Sequence, residues 1–116
     1  MDGILIVDKP RGMTSHDVVD FIRKHFKIEK AGHAWTLDPA VTGVLVILIG
    51  KATKRSFELT SGDKEYEATI TLGRKTDSGD AEGKVLSESD ASKITEEDVR
   101  HVFKSFEGEI EQVPPM

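Results

Sequence analysis

Six consecutive apolar residues, 44–49 (VLVILI), constrain the fold of this chain more than any other segment. Successive side chains of a strand point to opposite faces of a sheet, so an unbroken apolar run predicts a strand that is buried on both faces. Such a strand lies in the interior of a sheet. Gly50 follows the run and is expected to end the strand.

The other segments predict helices and strands around this central strand. Apolar residues at helical spacing predict a helix from Thr14 or Ser15 to about Phe26. Further strands are predicted at 3–7, 64–72, 84–88 and 109–113. A short helix is predicted at 51–59, with Ala52, Phe57 and Leu59 inward. A last helix is predicted from Thr95, and the apolar residues that it is expected to bury are Val99, Val102, Phe103 and Phe106. This order indicates an α/β fold of the α+β type, with a mixed, largely antiparallel sheet and flanking helices.

The loop before the central strand presents a carboxylate. Asp38 stands directly before Pro39, and His33 lies five residues earlier. On these local residues alone a turn is the favoured interpretation, because an Asp before a Pro initiates turns. The functional interpretation is that the strand fixes the loop while the loop gives a substrate access to Asp38.

Composition limits the class of protein. A chain of 116 residues with 37% hydrophobic content fits one domain, or part of one, with a modest core. It contains no cysteine, which excludes disulfides and thiolate metal sites. No apolar run approaches the length of a membrane span, and the first residues lack the basic start of a signal peptide. We therefore expect a cytoplasmic protein without a membrane partner.

The charge is unevenly distributed along the chain. The formal net charge of −5 is opposite to the basic balance expected of a nucleic-acid-binding protein. Acidic residues, however, are concentrated from Asp77 onward. The basic residues of the first half are Lys9, Arg11, Arg23, Lys24, Lys27, Lys30, Lys51, Lys54 and Arg55. A basic face for phosphates near Asp38 and a set of ordinary solvated charges are both compatible with this pattern.

Three segments occur in a specific order. They are 8–19 (DKPRGMTSHDVV), then 32–39 (GHAWTLDP) with 42–45 (TGVL), then Tyr66 with 72–77 (LGRKTD). Together they resemble the motifs of the TruB family of RNA pseudouridine synthases, and the end of the chain, 112–116 (QVPPM), is similar to the start of a further family segment. The resemblance implies that residues 1–116 are the N-terminal part of a pseudouridine synthase catalytic domain, with no second domain in the chain.

The resemblance also implies an activity and its residues. The expected enzyme is a tRNA pseudouridine synthase, an isomerase acting on the T-loop uridine at tRNA position 55, with Asp38 as the catalytic carboxylate. Tyr66, by default a core aromatic, matches the tyrosine that stacks on the target base. His33 is expected to contact the flanking nucleotides or fill the space that the base leaves. Asp77 is expected to orient the substrate or a basic residue.

The same reaction sets the expected ligands. Pseudouridine formation needs neither a redox step nor a group donor, so we expect no cofactor, and the acidic loop at 76–83 does not match a calcium loop. The expected partner is the T-arm stem-loop of tRNA. Lys9 resembles a packing element beneath the catalytic loop and not a reactive group.

One residue departs from the family pattern and leaves alternatives open. Trp35 stands where the family has Gly, which permits a positive φ or a close approach. Either the loop differs from that of the family or Trp35 points outward. The alternative functions are a dyskerin-like, guide-RNA-dependent synthase and a non-catalytic or incomplete RNA-binding fragment of such an enzyme.

Overall fold

The protein forms two compact units in the computed structural model, Met1–Glu65 and Tyr66–Met116. The structure describes residues 1–114, so the last two residues of the segment 112–116 lie outside it. The elements are β1 (Gly3–Lys9), α1 (Ser15–Phe26), β2 (Ala31–His33), β3 (Gly43–Ile49), a 3-10 helix (Gly50–Arg55), α2 (Ser56–Thr60), β4 (Arg74–Thr76), β5 (Val85–Glu88) and α3 (Glu96–Lys104).

The apolar run forms the central strand of the first unit. β3 pairs antiparallel with β1 on one side and with β2 on the other, in the order β1-β3-β2. Leu45, Ile47 and Ile49 pack with α1, whereas Val46 and Leu48 pack on the opposite face against Ala34, Trp35, Ala52 and Leu59. The prediction of an interior strand buried on both faces is confirmed.

Helix α1 covers one face of this sheet, and its bounds agree with the prediction. Thr14 is the N-cap: its side chain accepts a hydrogen bond from the Asp17 N–H at 2.9 Å, and its own N–H donates to the Asp17 carboxylate at 3.0 Å. This backbone hydrogen bond lowers the pKa of Asp17 below its ordinary value. Val18, Val19 and Ile22 are the buried apolar face of the helix. The capping box therefore fixes where the helix begins beneath β3.

The second unit contains an antiparallel hairpin, β4–β5, and helix α3. The predicted return strand and the helix cap at Thr95 are confirmed. With only antiparallel pairings in the described residues and helices beside the sheet, the predicted α+β class is also confirmed.

Two of the predicted strands do not form. Residues 64–72 alternate between apolar and polar side chains, yet they adopt no strand, and Tyr66 and Ile70 are 61% and 65% exposed. Residues 109–113 are also irregular. A strand needs a neighbour to pair its backbone N–H and C=O groups, and within residues 1–114 neither segment has one. The alternation of apolar and polar residues predicts two faces for a strand, but it does not show whether a neighbouring strand is present to pair with it.

The burial predicted for two other segments was wrong. Phe57 is 85% exposed, although Ala52 and Leu59 are partly buried as predicted. Helix α3 contains no buried residue: Val102 and Phe103 are largely exposed, and so is Phe106, which lies beyond the end of the helix. Helical periodicity identifies an apolar face but not an element that covers it.

Within residues 1–114, no helix combines the length with the apolar character needed to cross a bilayer.

The two capping boxes allow a matched test of stability. Thr14→Ala is expected to lower the free energy of unfolding of the first unit by about 1 kcal/mol, because the first turn of α1 loses an N-cap hydrogen bond. Trp35, the only tryptophan and packed on the core of that unit, reports urea unfolding by fluorescence. Thr95→Ala removes the same cap from α3, which contains no fully buried residue and lies in the other unit, so its effect on the unfolding reported by Trp35 is expected to be smaller. Equal shifts would contradict this difference.

Candidate active site

Asp38 lies in the loop that joins β2 to β3. Its carbonyl oxygen accepts a hydrogen bond from the Val41 N–H at 3.0 Å, which closes a turn with Pro39 inside it. Leu37, directly before it, is buried in the core, whereas Asp38 itself is exposed. No group within residues 1–114 donates a hydrogen bond to the Asp38 carboxylate. The loop thus holds the backbone and leaves the carboxylate facing solvent, as a reactive group requires.

A buried serine holds the loop on the N-terminal side of Asp38. The Ser15 hydroxyl accepts a hydrogen bond from the Leu37 N–H at 2.8 Å and lies 3.2 Å from the Leu37 carbonyl oxygen, to which it donates. Ser15 is 1% exposed and is the first residue of α1. The sequence predicts only that Thr14 or Ser15 caps α1. Nothing in the sequence indicates this contact, which spans 22 positions.

A buried lysine holds the loop on the C-terminal side of Asp38. The Lys9 ammonium donates to the carbonyl oxygens of Pro10 at 2.9 Å, Met13 at 2.7 Å and Pro39 at 3.3 Å. Lys9 is fully buried, and these three carbonyls use the three N–H donors of its ammonium in place of water. The prediction that Lys9 is a packing element beneath the loop is confirmed.

Gly12 adds a backbone contact between the same two loops. Its N–H donates to the Pro39 carbonyl at 2.7 Å, so this oxygen accepts from both Lys9 and Gly12. The φ angle of Gly12 is +94°, in a region that residues with a Cβ rarely adopt. The loop after β1 therefore reaches the turn at Asp38 through a conformation that glycine permits.

His33 is the last residue of β2, where the strand enters the loop. Its Nδ1 lies 2.8 Å from the Trp35 carbonyl oxygen. A carbonyl oxygen only accepts, so Nδ1 carries the proton in this contact and Nε2 is left for another partner. The side chain is half-buried, which leaves part of the ring accessible beside the loop. His33 and Asp38 therefore belong to one ordered segment of the first unit.

Trp35 packs inward and not outward. It contacts both core clusters, one on each face of β3, and the Lys64 ammonium lies 5.5 Å from its ring centroid. Lys27 is the one residue other than glycine with a positive φ in the described chain, so Trp35 adopts ordinary backbone angles. The second alternative from the sequence, an outward Trp35, is wrong. The indole fills space beneath the loop without requiring the conformation that a glycine permits.

The remaining predicted site residues belong to the second unit. Tyr66 is exposed in an irregular segment, so the default interpretation as a core aromatic is wrong. The Asp77 N–H donates to the Lys84 carbonyl at 3.0 Å, and its carboxylate accepts from the Lys84 N–H at 2.9 Å. Asp77 therefore closes the β4–β5 hairpin with one carboxylate oxygen.

The loop of this hairpin has a second structural carboxylate. Asp80 accepts hydrogen bonds from the Ser78 hydroxyl at 2.7 Å and from the N–H groups of Glu82 and Gly83 at 3.0 and 3.1 Å. The Ser78 hydroxyl, followed by the Glu82 N–H, lowers the pKa of Asp80 below its ordinary value. Asp80 therefore has a structural role, because its carboxylate accepts hydrogen bonds from the backbone of its own loop.

The model of the N-terminal domain of the TruB family of pseudouridylate synthases matches residues 23–116. The chain belongs to this family. The resemblance to the TruB family is therefore confirmed.

Bacterial relatives within this family match the chain from end to end. The tRNA pseudouridine synthase B of Opitutus terrae is 52% identical over 116 residues, covering 100% of this chain and 48% of the relative. The enzyme of the same name from Mycobacterium sp. strain KMS is 55% identical over 112 residues, covering 97% of this chain and 38% of the relative. The chain thus spans less than half the length of these relatives.

Solved structures share the fold. A chain of an H/ACA ribonucleoprotein bound to a substrate RNA containing 2′-deoxyuridine is 35% identical, with a TM-score of 0.61, covering 97% of this chain and 30% of that chain. A chain of a Cbf5-Nop10-Gar1 complex is also 35% identical, with a TM-score of 0.62, over 98% and 29% respectively. The elements that hold Asp38 therefore belong to a fold shared with RNA-associated proteins.

The buried lysine gives a direct test of how the loop is held. Lys9→Met keeps most of the length of the side chain but leaves the carbonyl oxygens of Pro10, Met13 and Pro39 without the ammonium donor, so the free energy of unfolding is expected to fall by about 2 kcal/mol. Urea unfolding monitored by Trp35 fluorescence measures the change. Lys24→Met is the control, because it removes the same charge from the exposed face of α1. A Lys9 variant as stable as this control would contradict the structural role.

Proposed function

We propose that the protein is an RNA pseudouridine synthase that isomerises the T-loop uridine at tRNA position 55, with Asp38 as its catalytic carboxylate. The observation on which the proposal rests is an exposed carboxylate whose two neighbouring residues are fixed by buried side chains, Ser15 at Leu37 and Lys9 at Pro39. Membership of the TruB family supports the reaction, and the names of the bacterial relatives support tRNA as the substrate.

The proposed reaction exchanges one bond of the nucleoside for another. The bond between the sugar C1′ and uracil N1 breaks, the base rotates, and C1′ joins C5. The hydrogen on C5 leaves as a proton, and N1 gains one, so the product is an isomer of the substrate. A carboxylate suits this chemistry because it stabilises positive charge on the sugar, adds to C1′ as a nucleophile or removes a sugar proton. None of these steps requires an oxidant or a group donor.

The other predicted site residues are proposed to bind the RNA. A uridine in a folded loop must leave its stack before Asp38 reaches the sugar, at a cost of roughly a few kcal/mol. Tyr66 is proposed to stack on the extruded base, which its exposed ring permits. His33 is proposed to contact neighbouring nucleotides through Nε2, since Nδ1 is occupied by the Trp35 carbonyl. Asp77 has a second carboxylate oxygen with which to orient the substrate.

The distribution of charge supports an RNA partner for the first unit. Residues 1–65 have ten Lys or Arg against nine Asp or Glu, whereas the rest of the chain has six against twelve. Lys9 is buried, but the other eight basic residues of the predicted cluster are exposed. We propose that this face meets the phosphates of the T-arm stem-loop in the cytoplasm, and that residues 1–116 act as the N-terminal part of one catalytic domain.

The decisive experiment is release of tritium from T-arm RNA labelled at uracil C5. The Asp38→Asn variant of the protein is expected to release tritium at a rate lower by roughly 10³-fold or more, the scale on which loss of a catalytic carboxylate reduces turnover. Asp63→Asn is the matched control, because Asp63 is also an exposed aspartate of the first unit. Equal rates for the two variants would overturn the assignment of Asp38.

A second candidate function is favoured by the solved structures. A chain similar to this one occurs in an H/ACA ribonucleoprotein with substrate RNA. The alternative function is therefore that of a guide-RNA-dependent synthase. Turnover of the free T-arm stem-loop, with no other RNA present, would exclude this candidate. Binding of the T-arm without turnover by the wild-type protein would instead support a non-catalytic RNA-binding module.

The proposed stacking of Tyr66 on the base predicts that the aromatic ring matters for activity and the hydroxyl does not. Tyr66→Leu is expected to reduce kcat/KM for T-arm RNA by roughly 10- to 100-fold, because stacking on an aromatic ring is worth about 1–3 kcal/mol per base. Tyr66→Phe keeps the ring and is expected to retain most of the activity. Similar activity in the Leu and Phe variants would contradict stacking.

The same assay tests the other two residues. His33→Ala removes the proposed nucleotide contact, and Asp77→Asn keeps an acceptor for the Lys84 N–H while removing the charge. RNA affinity and turnover that match the wild type in both variants would rule out these contacts.

A further inference from the structure

Ser15 occupies a position where a hydroxyl has few other uses. It is one of two buried polar side chains in the described chain, the other being Lys9. The capping of α1 is performed by Thr14 and Asp17, so the helix does not need the Ser15 hydroxyl for its first turn. Its oxygen is directed at a single residue of the loop before Asp38.

The contact satisfies both backbone polar groups of Leu37. One hydroxyl accepts from the N–H at 2.8 Å and donates to the carbonyl oxygen, 3.2 Å away. A neighbouring strand would do the same for a residue in a sheet, but the chain has left β2 at His33 and the ladder with β3 ends at the hydrogen bond from the Ala34 N–H to the Val46 carbonyl. Ser15 therefore replaces a strand partner at the point where the loop passes over the core.

This contact restricts the geometry of Asp38 through the peptide that joins it to Leu37. The Leu37 carbonyl and the Asp38 N–H belong to one planar peptide group. A hydrogen bond that fixes the carbonyl oxygen therefore fixes the orientation of the bond from which the Asp38 residue begins. On the other side, the Asp38 carbonyl is held by the Val41 N–H. The carboxylate remains exposed while its backbone has little freedom.

We infer that Ser15 is a positioning residue for Asp38: it sets the turnover of the synthase without touching the RNA. The inference rests on the proposed function of Asp38. Turnover is sensitive to such positioning because a displacement of a reacting group by about 1 Å costs on the order of 100-fold in rate. RNA affinity depends on groups at the surface, and Ser15 is 1% exposed, so substrate binding is expected to be independent of its hydroxyl.

The test uses three substitutions of Ser15 in the protein with T-arm RNA. Ser15→Cys keeps nearly the same volume but offers only a weak S–H donor and a weak acceptor, so kcat is expected to fall by roughly 10- to 100-fold with KM and RNA affinity within about twofold of wild type. Ser15→Ala is expected to lose at least as much. Ser15→Thr restores a hydroxyl and is expected to recover much of the lost kcat.

Thr14→Ala is the matched control for a purely structural effect. It lies one residue earlier and weakens the same helix through its cap, yet it does not contact Leu37. Its kcat, measured well below its unfolding midpoint, is expected to stay within about twofold of wild type. Folding of every variant is verified by the fluorescence of Trp35, and Ser15→Cys supplies the result if Ser15→Ala does not fold.

The outcomes separate this inference from the proposed function. Normal kcat in Ser15→Cys, together with an inactive Asp38→Asn, would overturn the positioning role and leave the function intact. Equal losses of kcat in Ser15→Cys and Thr14→Ala would also overturn it, since both would then reflect stability. Turnover that survives in Asp38→Asn, or absence of turnover in the wild type, would overturn the proposed function and this inference with it.

Discussion

The burial of β3 on both faces is the constraint on which the first unit depends. Alternate residues of the strand face α1 on one side and the 3-10 helix with α2 on the other. The strand lies between two neighbours and is buried from Leu45 to Ile49, so its register with β1 and β2 is strongly specified. The loop that precedes it therefore begins and ends at fixed points. Asp38 acquires a defined place because the strand after it has no freedom to slide.

The loop itself is held by two different kinds of polar contact. Ser15 uses one neutral hydroxyl to satisfy both groups of Leu37, and Lys9 uses a charge to gather three carbonyl oxygens, including that of Pro39. Both side chains are buried, so water does not compete for their hydrogen bonds. Asp38, between these two anchors, keeps its carboxylate in solvent.

Much of the first unit was predictable because its signals are local. The unbroken apolar run and the helical spacing after Thr14 each report on backbone geometry within a few residues. The motifs identified the family and the carboxylate at Asp38, but the contact between Ser15 and Leu37 joins residues 22 positions apart. The spacing of apolar residues along the sequence does not predict a hydrogen bond between residues so far apart.

The errors at residues 64–72 and in α3 share one physical origin, which is that a local pattern does not show what packs against it. Residues 64–72 alternate as a strand does, and the stripe of α3 repeats as that of a buried helix does, but both patterns describe only one side of an interface. The prediction of an outward Trp35 was wrong for a related reason, since the space available for the indole depends on the two core clusters that it contacts. Local pattern predicts which face is apolar, and tertiary packing decides whether it is covered.

The contact between Lys9 and the Pro39 carbonyl has a consequence for the order in which the chain acquires its structure. It joins residues 30 positions apart, and the intervening chain contains α1 and β2. Closing so long a loop costs entropy before the contact returns any energy, so such contacts form late in folding. During synthesis, the lysine leaves the ribosome well before the carbonyl that will accept from it. The loop at Asp38 is therefore expected to become ordered only once β1 and β3 have paired, so its geometry is among the last that this unit acquires.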